Sequence, residues 1–122
     1  MSATELRQAA AACLLGLLCA PAGAADLSDS QAKTFFNANG CNACHGVVET
    51  RIGPPFVAVA ARYAQTPDAA ETLRRKIRAG GAGAWGLVPM ISYPNLSDEQ
   101  IQAVVRWILN AKTPAPDSGR SP

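Results

Sequence analysis

The sequence predicts an all-α fold, and three observations carry that expectation. Apolar residues recur at helical spacing in segment after segment between residues 28 and 109. No run alternates apolar and polar residues as a half-buried strand would. Ser-x-x-Gln pairs stand at the head of two of the periodic runs, the pattern of a capping box in which side chain and backbone satisfy each other's free donors.

The elements follow in order. A first helix is expected from Ser28 to Asn39, opened by Ser28 with Gln31, carrying Phe35 and Phe36, and closed by Gly40, which can take the left-handed conformation past a helix end. A second runs from Pro55 to Tyr63 with Phe56, Val59, Ala60 and Tyr63 on one face. A third begins at Thr66-Pro67, proline being pre-organised for the first helical position; it aligns Ala70, Leu73 and Ile77 and stops at Gly80-Gly81. The last starts with the Ser97/Gln100 box, lets Leu96 staple against Ile101, and buries Ile101, Val104, Val105, Ile108 and Leu109, with Trp107 beside that stripe as a helix-contact aromatic. About four helices are therefore expected. Between Gly81 and Ser97 lies an irregular stretch holding Trp85, Pro89 and Met90; a loop of that length in a small domain calls for a functional reason.

The ends differ from the middle. Residues 1–25 read as a cleaved signal peptide: Arg7 in a short polar start, an apolar stretch from Ala9 to Ala20 too short to span a bilayer, then small residues around Ala22 and Ala24 that leave Ala25 or Asp26 as the new N-terminus. Cys13 and Cys19 leave with it. Residues 113–122, rich in proline and small polar residues, have no face to bury and are expected to be a disordered tail. Residues 26–112 remain as one domain, small enough that its own core stabilises it only marginally. A net charge of +2 gives no footprint for nucleic acid. Arg74, Arg75 and Arg78, with Arg62 near them, form at most a basic patch for an acidic partner, and an ordinary solvated helix face explains them as well.

The chemistry is concentrated in Cys41-Asn42-Ala43-Cys44-His45. Cys-x-x-Cys-His is the attachment pentapeptide of c-type haem. Two thiols on one tight helical turn can add to the two vinyl groups of a porphyrin, while the adjacent imidazole reaches the iron. A zinc site would want four ligands, and beyond residue 25 only these two thiols and one imidazole are on offer. No strand-like run precedes Cys41, against a thioredoxin-like motif; a plain structural disulfide is the remaining alternative. His45 is the sole histidine, and Met90 the sole methionine beyond the initiator. With haem bound, His45 and Met90 are the axial pair that the composition nominates.

Gly40 to His45, then Ile52-Gly53-Pro54-Pro55-Phe56, then Trp85-Gly86-Leu87-Val88-Pro89-Met90, then Leu96-Ser97-Asp98-Glu99-Gln100 and Trp107, in this order, resemble the small class I bacterial cytochromes c of the c-551 type, from about Asp26 to Lys112. The resemblance implies a class I cytochrome c fold wrapped round one haem c, covalent through Cys41 and Cys44. It implies further that the Pro54 carbonyl accepts a hydrogen bond from the proximal imidazole, fixing its orientation and basicity. By the same resemblance Trp85 and Lys76 contact haem propionates, and Asn95 is the candidate donor to the Met90 sulfur. Here the chain departs from the pattern: Ile91-Ser92-Tyr93 stands where relatives often have prolines, with one extra residue before Ser97.

The expected function is that of a soluble periplasmic one-electron carrier, a monomer and not an enzyme, passing electrons from a respiratory donor to a terminal reductase or oxidase without stable membrane insertion. Val88 and Ile91 are expected near the haem edge, where partners dock. A haem enzyme or gas sensor with a labile sixth ligand, and a cytochrome subunit of a membrane oxidase or dehydrogenase, are the alternatives.

Overall fold

The computed structural model describes residues 25–113. The readings of residues 1–25 as signal and 113–122 as tail lie outside the described residues but for Ala25 and Thr113. The described chain forms α1 (Asp29–Asn39), α2 (Cys41–Cys44), α3 (Phe56–Tyr63), α4 (Ala69–Ala79) and α5 (Asp98–Leu109). No strand is present among the described residues; the sole ladder-like feature is an isolated antiparallel bridge between Gly81 and Met90. The helix beyond the four expected is α2, the single turn that carries the two cysteines.

Local chemistry sets the ends as expected at α1 and α5. Both capping boxes form: the Ser28 hydroxyl accepts from the Gln31 amide while Gln31 accepts from Ser28 N–H, and Ser97 and Gln100 repeat the arrangement. Gly40 closes α1 with φ 71°, a conformation that would strain any residue with a Cβ. The start of α4 differs from the expectation. Its N-cap is Asp68, at φ 39°, and Pro67 sits in the turn before it instead of at the first helical position. Ala70 thereby falls on the open first turn and is exposed, leaving Leu73 and Ile77 as the buried residues of α4.

α5 packs on both α3 and α4. Its stripe is buried from Ile101 to Ile108, with Ile101 and Val105 each only 1% exposed, whereas Leu109, expected to be buried with them, is only half-buried at the helix end. Ala32 and Phe36 of α1, Phe56 and Val59 of α3, and Leu73 and Ile77 of α4 complete the core. Aromatic rings lock α1 to α3 and α5: Phe36 lies 4.6 Å from Phe56 and 5.2 Å from Trp107, the latter edge to face. The Trp107 indole N–H donates to Asp29 at 3.0 Å, so the ring is half-buried with its one polar atom satisfied. This framework leaves the α1–α2 junction, the loop before α3 and the loop between α4 and α5 facing a common space.

Candidate functional site

That space is a cavity of about 610 Å³, within the roughly 300–1,000 Å³ usual for cofactor sites. Its walls are mostly aliphatic and aromatic, and Cys41, Cys44, His45, Pro54, Lys76, Trp85 and Met90 all line it. Asn95, the remaining candidate, does not: it is exposed in the turn at Pro94-Asn95, while Tyr93 and Leu96 on either side face the cavity. The path of the loop after Met90 leaves Asn95 facing outward, and a hydrogen bond from it to the Met90 sulfur is absent.

His45 is held on three sides. Its Nδ1 lies 2.7 Å from the Pro54 carbonyl oxygen. A carbonyl can only accept, so Nδ1 carries the proton and Nε2 of the neutral ring keeps its lone pair for a metal. Phe56 stacks against the ring, centroids 5.3 Å apart with planes 16° from parallel. On another side is Gly53, and the space it leaves is decisive: a Cβ there would lie 2.7 Å from His45 Cε1 and 3.0 Å from Nδ1. Main-chain bonds from Gly53 N–H to Cys44 O, 2.7 Å, and from Phe56 N–H to Gly46 O, 2.9 Å, fold this loop back over the attachment turn. Arg51 fastens it further, donating to the Asn42 carbonyl and pairing with Glu49 at 2.7 Å.

The two thiols on α2 are not joined to each other. Burial pushes the Cys41 thiol above its ordinary value, partly offset by a hydrogen bond with Tyr93. Tyr93 is itself pushed up to about 12, first by desolvation and then by its contact with Cys41, so it stays a phenol and donates to the Asn39 carbonyl at 3.2 Å. It thus ties the loop after Met90 to the α1–α2 junction.

Met90 is half-buried against the core cluster, and its backbone pairs both ways with Gly81, Gly81 N–H to Met90 O at 2.9 Å and Met90 N–H to Gly81 O at 3.0 Å. Gly80, at φ +69°, makes that approach possible: a Cβ there would meet the Met90 carbonyl oxygen at 2.5 Å. Trp85 is 43% exposed, and its indole N–H has no acceptor among the described residues. The Arg62 guanidinium sits 4.5 Å over its ring and donates to the Ala84 carbonyl. Arg62 therefore belongs to this loop and not to the expected basic patch. Arg74 and Arg75 share Glu71, and Arg78 turns towards the loop before α5 and Asp98, so two carboxylates offset part of the charge of the three arginines.

These residues fit a haem. Paired thiols on one turn, a neighbouring imidazole with its second nitrogen free, a thioether on another loop, an apolar enclosure and a glycine cradle whose Cβ would strike the imidazole are what covalent haem c requires. Gly53, Tyr93, Arg62 and Arg78 were not singled out for this site by the sequence; only Gly53, beside the Pro-Pro pair, carried a local signal.

Residues 30–112 match the family model for cytochrome c, and the chain belongs to that family. It is 43% identical over 74 residues to cytochrome c-552 of Nitrosomonas europaea, covering 61% of this chain and 72% of that protein. It is 38% identical over 80 residues to cytochrome c-551 of Azotobacter vinelandii, covering 66% of this chain and 96% of that one. The crystal structure of the wild-type Nitrosomonas europaea cytochrome c-552 superposes with a TM-score of 0.62 at 40% identity, over 66% of this chain and 99% of that one. Within the family the chain is a class I cytochrome c of the c-551 type, and its cofactor is haem c attached through Cys41 and Cys44. Its function is electron transfer, in contact with redox partner proteins.

Proposed function

We propose that this cytochrome is an exported, periplasmic one-electron carrier, with His45 and Met90 as its axial ligands, that moves electrons between a respiratory donor and a terminal reductase or oxidase. The observation that carries the reading is the meeting of His45 and Met90 in one apolar cavity, with no second imidazole or thioether among the described residues. Haem c supplies a one-electron change of valence at iron. The chain does the rest. Pro54 and Phe56 orient His45; the Gly81 bridge holds Met90; the apolar walls keep water out and favour the ferrous state, as a thioether ligand also does. Trp85 and Lys76 are the propionate contacts in this reading. Lys76 lines the cavity without an acidic partner among the described residues. Both axial positions are then filled, which leaves a carrier and not an enzyme. No helix among the described residues is long and apolar enough to cross a membrane.

Met90→Ala tests the ligand assignment. The unmodified ferric protein should have the weak long-wavelength band of sulfur-to-iron charge transfer; the variant should lose it, and its ferrous form should take up carbon monoxide. A band absent from the unmodified protein, or unchanged in the variant, would reject Met90 and with it the carrier reading. Cleavage after export is tested separately: mass analysis of haem-loaded protein should give an N-terminus at Ala25 or Asp26, and an intact Met1 would indicate an uncleaved anchor and overturn the reading as a freely diffusing carrier.

A further inference from the structure

The loop that leaves Met90 has little structure of its own. Between Ile91 and Leu96 its one main-chain bond to the framework is Tyr93 N–H to the Ile77 carbonyl, 3.0 Å. Three carbonyls between Tyr93 and Leu96 are gathered by a single side chain from elsewhere. From the last turn of α4, Arg78 Nη1 donates to the Pro94 carbonyl at 3.0 Å and to the Leu96 carbonyl, with the Tyr93 carbonyl at 3.5 Å. Its Nη2 donates to Asp98 Oδ1 at 2.6 Å, in the first turn of α5.

We infer that Arg78 is a positioning residue for the iron's sixth ligand: it clamps the far end of the Met90 loop to α4 and α5, and so keeps Met90 engaged. The inference rests on the reading of Met90 as that ligand. The ion pair alone would not do this. Asp98 is 73% exposed at its side chain, and a pair that open to water contributes little. The carbonyls matter more, because two of these bonds are part-buried and a charged donor makes them stronger than neutral ones. The geometry also needs the planar fork of an arginine, which can reach loop carbonyls with one nitrogen and a carboxylate with the other; a lysine ammonium is a point charge without that span.

The position in the chain gives the clamp its leverage. Arg78 follows Ile77, whose carbonyl holds Tyr93, and precedes Gly80-Gly81, where Met90 is bridged. The last turn of α4 and the two glycines after it thus fasten the Met90 loop at its start, its middle and its end. Without the last fastening, the Gly81 bridge and the bonds of Tyr93 remain, but the far end of the loop is no longer tied to α4 and α5.

The experiment compares haem-loaded wild type, Arg78→Gln, Arg78→Lys and Asp98→Asn by amide hydrogen exchange and by titration of the ferric protein with imidazole. Arg78→Gln should speed exchange at the Tyr93, Met90 and Gly81 amides by about tenfold or more, the factor expected for losing a hydrogen bond to a charged group, with Val104 and Val105 in α5 unchanged. Imidazole should bind Arg78→Gln more tightly by a similar factor and Arg78→Lys by nearly as much, whereas Asp98→Asn should stay near wild type. Equal protection of the loop amides in wild type and Arg78→Gln would overturn the clamp. So would a uniform rise that includes Val104 and Val105, since that is general stability. If instead the unmodified protein lacks the sulfur-to-iron band, the ligand reading has failed, while the exchange pattern still decides whether Arg78 holds the loop. Arg78→Lys, which keeps the charge but loses the fork, keeps the test readable should Arg78→Gln fold poorly, since loop amides as protected in it as in wild type would overturn the clamp.

Discussion

Protein carrying Cys41→Ser together with Cys44→Ser is expected to be colourless and largely unfolded. Haem c is held through these two thiols, and no other cysteine lies among the described residues. The loss of structure follows from what surrounds the cavity. Phe36, Phe56, Val59, Leu73, Ile77, Val104 and Ile108 count as core, yet each also lines the cavity and meets the cofactor space on one side. Around them the wall is open: Ile52 is 67%, Leu87 93%, Val88 66% and Ile91 68% exposed, apolar area that haem would cover. Burying one such side chain fully is worth about 1.5–3 kcal/mol, and a whole domain is stable by only about 5–15 kcal/mol, so leaving these four uncovered forfeits an amount comparable to what a chain this short has in reserve. The check is a denaturing gel stained for haem alongside far-ultraviolet circular dichroism. Wild type should keep its haem through denaturation; the variant should have none and should melt without a cooperative transition. Haem extracted from wild type into acidic solvent would contradict covalent attachment, and a cooperative melt in the variant would contradict the dependence of folding on it.

Gly53→Val should be the most damaging single substitution outside the ligands. Its new Cβ would lie 2.7 Å from His45 Cε1, 3.0 Å from Nδ1 and 3.2 Å from the Cys44 carbonyl oxygen. The backbone cannot retreat, since Gly53 N–H is bonded to that same carbonyl at 2.7 Å. Nor can the imidazole move freely, because Phe56 stacks on it and Pro54 holds Nδ1. The ring must tilt, breaking the Pro54 bond. Overpacking of this kind costs about 1–3 kcal/mol, and the lost hydrogen bond about 1 kcal/mol more. The variant should therefore melt well below wild type and its reduction potential should shift, because an imidazole without its carbonyl partner is a weaker donor. Gly53→Ala should show the same changes in smaller degree. A valine variant with wild-type melting and potential would mean that the loop yields, and that Gly53 is not the cradle of the ring.

Much of the fold was legible because its instructions are local. The Ser28/Gln31 and Ser97/Gln100 boxes, the αL glycine at position 40 and the stripe from Ile101 to Ile108 each concern residues within a turn or two of one another, and all appear as read. α4 shows the limit of such reading. Pro67 suits a first helical position, but Asp68 takes a left-handed conformation and the helix starts after it. Proline's preference at N1 is permissive; it does not forbid a turn there. Asn95 shows a second limit. Its neighbourhood depends on the path of the whole loop from Met90, and that path leaves it exposed in the turn with Pro94.

What the sequence by itself determined is the covalent chemistry and the helical skeleton: two thiols and an imidazole in five consecutive residues, one thioether beyond the initiator, and periodicities that no strand could satisfy. These depend on bonded neighbours and on the 3.6-residue turn, so they can be read along the chain. Only the tertiary structure decided which cations are free and which are spent. Arg62 reaches 22 residues along the chain to the Ala84 carbonyl, and Arg78 reaches 20 residues to Asp98; neither spacing leaves a trace in sequence pattern. The same holds for Gly53, whose missing Cβ matters only because His45 folds back over it. A flexible charged side chain takes its partner from whatever the packed helices bring within reach, and that is fixed by the fold as a whole.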